Sequence, residues 1–172
     1  LGLQESNINF NNISESNITF INNEVDVDLG DRKVLIKNLG IGHTSGDIIS
    51  YDYNTNTYIT GDLIFQGRAA AFSDADVPLW INTIENKLDK PWMYLIPGHG
   101  EIIKNDKDTL DTQNWLYFLD SSIRKAILQG DMVSEIFQYP MPKKIKHLRM
   151  KSLTLRQGIK RQLNLYRKKY IE

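Results

Sequence analysis

Three side chains able to ligate a metal sit in short glycine-bounded segments of this chain. They are His43 in Gly42-His43-Thr44-Ser45-Gly46-Asp47, Asp62 in Gly61-Asp62-Leu63-Ile64-Phe65 and His99 in Pro97-Gly98-His99-Gly100. Imidazole and carboxylate are the ligands left to a first-row divalent metal when thiolates are missing, and the 172 residues include no cysteine. A single histidine in a glycine turn ordinarily makes only hydrogen bonds. Three ligands that each follow or end an expected strand read differently, because strand ends are where α/β sites assemble. Separated by 19 and 37 residues, the three are expected to converge at one edge of a sheet. The remaining histidine, His147, lies among lysines, where like charge disfavours a cation, and is read as structural.

Strands must carry these loops. Glu24-Val25-Asp26-Val27-Asp28-Leu29 alternates strictly, and Gly30-Asp31 turns it toward a hairpin partner at Lys33 to Asn38. Ile48 to Tyr53 and Thr57 to Thr60 predict a second hairpin across Asn54-Thr55-Asn56, and Asn17 to Asn22 has the apolar centre of a further short strand. Met93 to Ile96 is wholly apolar, as expected of an interior strand covered on both sides. Helices follow where the period changes. Asp76 caps one that carries Pro78 in its first turn and Trp80, Ile81, Ile84 and Leu88 on one side. Asp108 is expected to cap a second, with Leu116, Leu119, Ile123, Ala126 and Ile127 as its stripe and Gly130 as its stop. A short helix from Asp131 and a last one over Ser152 to Tyr170 complete the pattern.

The formal net charge of zero conceals an asymmetry. Met141 to Glu172 holds eleven Lys or Arg against one Glu, leaving ten basic and twenty acidic residues in the first 140. No aromatic platform for single strands accompanies the basic stretch. It is therefore read as a tail docking on an acidic body, with nucleic acid not expected as a partner. No run approaches the roughly 20 apolar residues of a membrane span. The chain opens on Leu1 rather than Met, so the missing leader says nothing about export.

The three signatures, in this order, resemble the metallo-β-lactamase superfamily of zinc hydrolases. The resemblance runs from Phe20 to about Gly130. With Gln66-Gly67-Arg68 and the helix at Asn114 to Gln129, it is nearest the quinoprotein-relay branch of bacterial metallohydrolases. It implies α/β architecture, half of an αββα sandwich, whose mixed or mostly antiparallel sheet carries helices on one face. Residues 1–130 would form the carboxyl-terminal half of the domain and residues 131–172 a basic helical extension packed on it.

The same resemblance implies roles. His43 corresponds to the third histidine of a first zinc, Asp62 to the carboxylate bridging two metals and His99 to the histidine of a second. Thr44, Ser45 and Asp47 would orient His43 or its loop. Two zinc ions would activate a water against an ester, thioester, lactone or amide of a small-molecule substrate, with iron or manganese as other metals the ligands suit. The family's His-x-His-x-Asp-His motif is missing, so half of the ligand set is absent. This segment is expected to bind metal weakly and to be inactive alone. The missing amino-terminal half, or a second copy of the chain, would cover the other sheet face. The alternative is a non-catalytic half-domain that works as a binding or oligomerisation module. The family resemblance favours the bacterial periplasm over the cytoplasm.

Overall fold

A computed structural model describes residues 23–104 and 110–171. Its strands are β1 (Glu24–Asp28), β2 (Lys33–Gly40), β3 (Asp47–Asp52), β4 (Thr57–Phe65), β5 (Tyr94–His99) and β6 (Ile103–Lys104). They form one sheet in the order of the chain. Neighbours are antiparallel except β4 and β5, which run parallel because α1 (Val77–Lys87) crosses over between them. The helices α2 (Asp111–Gln129), α3 (Val133–Ile136) and α4 (Lys151–Tyr170) follow, with one 3-10 turn over Lys143–Ile145 between the last two.

Alternation sorts the sheet into two unlike faces. One cross-strand row, Leu35, Tyr51, Tyr58 and Leu95, is buried under the helical layer. Lys37 Nζ on this face donates to Lys87 O at the end of α1, and Lys87 Nζ returns a bond to Leu39 O. Burial here pushes the Tyr58 phenol up to about 12. The opposite row runs Val25, Ile36, Ser50, Ile59 and Ile96. Ile48, Ile59 and Ile96 on that side are 51%, 46% and 37% exposed, so nothing among the described residues covers it.

Helix boundaries follow the local chemistry. Asp76 caps α1 by accepting the Leu79 N–H at 3.1 Å, with Pro78 in the first turn. Gly130, at φ 73°, ends α2. The last helix begins at Lys151, within a residue of expectation, and the short one begins at Val133.

Three expectations change. Met93 precedes β5 and is exposed, and only Leu95 of that apolar run is fully covered, because Tyr94 and Ile96 point to the other face. Leu29 leaves the β1 alternation for a turn, where its N–H meets Arg32 O at 2.8 Å. Leu110, not an acidic side chain, flanks the start of α2; Asp108 and the strand expected over Asn17 to Asn22 lie outside the described residues.

The basic tail docks through apolar and amide contacts. Leu155, Ile159, Leu163 and Tyr166 of α4 are buried, and Gly158 lies so close to Phe72 that a Cβ there would sit 2.5 Å from the ring. Arg161 and Gln162 reach across to the Ala75 carbonyl. Gly158→Ala should therefore cost about 1–3 kcal/mol through overpacking, despite the better helix propensity of alanine. Urea unfolding of the variant checks this, and an unchanged or higher midpoint would show that the Phe72 ring yields freely.

Candidate active site at one end of the sheet

Strand direction brings the three predicted ligands together. Strands β2, β4 and β5 all end at the same side of the sheet, since β2 and β4 are each antiparallel to β3 and β5 is parallel to β4. His43 lies in the loop after β2, Asp62 near the end of β4 and His99 at the last residue of β5.

Asp47, the first residue of β3, anchors the His43 loop. Its carboxylate accepts the His43 N–H at 2.6 Å, the Thr44 N–H at 3.2 Å and the Thr44 hydroxyl at 2.6 Å. Ser45 is exposed and takes no part in these bonds among the described residues. The His43 ring packs edge-on against Trp80 at 5.1 Å and tilted against Phe65 at 5.7 Å. Trp80 is itself fixed by its indole N–H on Leu63 O at 3.0 Å.

Asp62 owes its position to two glycines. Gly61 takes φ +51°, and the β4–β5 register shifts on either side of it, so the strand bulges and Asp62 leaves the ladder. Gly98 passes directly opposite: a Cβ there would lie 2.1 Å from Asp62 Oδ1 and 2.6 Å from the Gly61 carbonyl carbon. The outcome is contact between Asp62 Oδ1 and His99 Nε2 at 3.4 Å, with both side chains 44% exposed. His99 also stacks on Phe65 at 4.8 Å, so this one buried ring touches both histidines.

The start of α2 grips the end of β4. Thr112 Oγ1 accepts the Phe65 N–H at 2.7 Å and donates to Phe65 O at 3.0 Å. Asp111 accepts the Gly67 N–H at 2.9 Å and the His147 Nε2 bond at 3.0 Å. Sequence reasoning missed this role of His147, since its partner lies 36 residues away and no local pattern joins them.

The donor set falls short of a metal site on the described residues. No group of three His, Asp or Glu that could hold an ion occurs among them. Histidine ligands characteristically donate their second ring N–H to an acceptor, whereas the buried Nδ1 of His43 has no partner. Asp62 and His99 offer two donors and His43 an unsupported third, so these residues alone do not fit a zinc ion.

No protein-family model matches the chain, and neither does any curated protein. Solved structures do. The stereoselective inverting sec-alkylsulfatase Pisa1 from Pseudomonas sp. superposes with a TM-score of 0.67 at 16% identity, covering 88% of this chain and 27% of that one. A metallo-β-lactamase from Pontibacter korlensis matches at 21% identity and a TM-score of 0.45, over 60% of this chain and 46% of that one. TMB-1 matches at 19% and 0.47, over 54% and 44%. The chain shares the fold of part of the alkylsulfatase. It spans less than half the length of the solved structures it matches.

Asp47→Ala removes the acceptor of three donors at once. It should lower stability by about 1 kcal/mol and speed amide exchange at His43 and Thr44 at least tenfold. Exchange followed by NMR checks it, and unchanged protection would show that the loop holds itself.

Proposed function

We propose that this chain is the second half of a metal-dependent hydrolase of the metallo-β-lactamase superfamily. Zinc would be its metal, with iron or manganese as other fits for the same ligands, and an ester, thioester, lactone or amide of a small molecule its substrate. The observation that carries this reading is the meeting of Asp62 and His99 at the strand end that also holds His43. The donor set is incomplete among the described residues, so this reading requires further ligands from elsewhere. In the assembled site His43, Asp62 and His99 would contribute to holding the metal, which would supply an activated water, while Asp47 keeps the His43 loop in place and Phe65 walls the histidines from the core. Gln66-Gly67-Arg68 suggests the quinoprotein-relay branch.

Reconstituting the chain with its missing half, or working with the complete protein, tests the reading. Two metal ions per active unit and hydrolysis of an activated ester or lactone are expected, with a sec-alkyl sulfate assayed beside them. Asp62→Ala should lower turnover by at least 10²-fold. Undiminished turnover would reject the role of Asp62.

The uncovered sheet face with Ile48, Ile59 and Ile96 supports a second reading, in which the segment is a binding or oligomerisation half-domain. A partner sheet would pack on that row at about 10 Å. Sedimentation of the purified chain at micromolar concentration should then show a species heavier than one chain, returned to monomer by Ile59→Lys. A monomer that binds no hydrophobic dye would reject pairing through this face.

A further inference from the structure

Between Glu135 and Glu172 the sequence contains no Asp or Glu, yet the same stretch carries eleven Lys or Arg. Packing uses part of this charge. Arg161 bonds the Ala75 carbonyl at 3.1 Å, and Lys169 pairs with Asp76 at 3.5 Å. The end of α4 accounts for another part, since cations in a last helical turn meet the negative end of the helix dipole, and Arg167, Lys168 and Lys169 stand there. Neither reason reaches Arg156 and Lys160. They sit mid-helix and one turn apart, where like charges repel, and neither has a carboxylate partner among the described residues.

Helical spacing gathers these charges on one outward stripe. Leu155, Ile159, Gln162 and Tyr166 are buried, so positions 156, 160, 164 and 167 face away from the core, and Arg156, Lys160, Asn164 and Arg167 are all exposed. Arg156 and Arg167 stand about 16 Å apart along the axis. Beside the stripe lies a groove of about 310 Å³. One wall is Lys160, Asn164 and Arg167, and the other is the chain from Gly130 to Ser134, with Met132, Val133 and Leu163 as its apolar lining. Met132 is 71% exposed. The acidic groups next to it are occupied, Asp131 by the Tyr139 hydroxyl and Glu135 by the Met132 N–H at 2.6 Å. The groove is thus apolar inside and cationic along one edge.

We propose that the groove between α3 and α4 is a docking site for an acidic peptide segment of another protein. One apolar side chain of that segment enters against Met132, Val133 and Leu163, while flanking carboxylates meet Lys160, Arg167 and, one turn away, Arg156. The shape selects this occupant over other polyanions. A concave, apolar-lined groove takes a single side chain, which a flat bilayer surface does not offer and a phosphate backbone lacks. Methionine on the rim, flexible and polarizable, adapts to the side chain it receives. The cations stand on a helix whose inner face is already packed, so little backbone freedom is lost when the carboxylates arrive. The site belongs to the basic extension and depends on neither the strand-end ligands nor the hydrolase reading.

Fluorescence anisotropy of a short labelled oligoglutamate peptide with one central leucine, titrated with the purified chain, tests the proposal. Saturable binding is expected. The double variant Lys160→Gln, Arg167→Gln should weaken it at least tenfold. Lys143→Gln with Lys144→Gln removes the same charge from exposed residues outside the groove and should leave affinity within twofold of the parent. Replacing the leucine of the peptide by alanine, a comparison that needs no variant of the protein, should weaken binding at least threefold. No saturable binding, equal losses in the two double variants, or indifference to the leucine would overturn the site. Tighter binding of duplex DNA or of phosphatidylglycerol vesicles, lost in the groove variant, would overturn the peptide as its occupant. These titrations need neither metal nor turnover, so their failure leaves the hydrolase reading standing.

Discussion

Parallel pairing of β4 with β5 is the constraint on which the site depends. An antiparallel partner would carry His99 to the far end of the sheet, away from Asp62. A parallel one needs a crossover, which α1 supplies, and the crossover in turn brings Trp80 against His43. One topological choice thereby places Asp62 and His99 together and sets the wall behind His43. The 28 residues between Phe65 and Tyr94 give the crossover ample length.

Local chemistry made most of the fold legible in advance. Alternation in Glu24 to Asp28 and the Asn54-Thr55-Asn56 turn define the hairpins, and the Asp76 cap with Pro78 fixes where α1 begins. Glycine-bounded His43, Asp62 and His99 announce loops that tolerate close approach. What escaped sequence reasoning depends on distance along the chain. Strand β4 runs on through Phe65 because α2 binds its last peptide through Thr112, 47 residues later. The two-residue β6 has too short a pattern to detect. Nor does any local signal join Arg68 to Arg149 or Asp111 to His147, since those contacts form only after α2 and the tail have packed.

In the proposed reading, the uncovered isoleucines and the need for further ligands describe the same boundary from two sides. A sheet face wanting cover and a strand end wanting ligands lie on one body, and a single partner sheet could satisfy both. Charge points the same way. The excess of cations in the tail is partly spent on the body, as Arg161 on the Ala75 carbonyl and Lys169 on the Asp76 carboxylate show, so it works as attachment inside the chain.

The connector from Gln66 to Asp76 has no regular structure, yet its carbonyls are taken. Trp115 holds Ala70 O, and Gln162 holds Phe72 O and Ala75 O, from positions 45 to 90 residues downstream. During synthesis this stretch leaves the ribosome well before either helix exists, and its peptide groups must stay hydrated until they arrive. This connector is thus among the last parts of the molecule to set. Any event that detaches α4 afterwards would loosen the stretch from Phe72 to Ala75 first, leaving the hairpins at the opposite edge of the sheet standing.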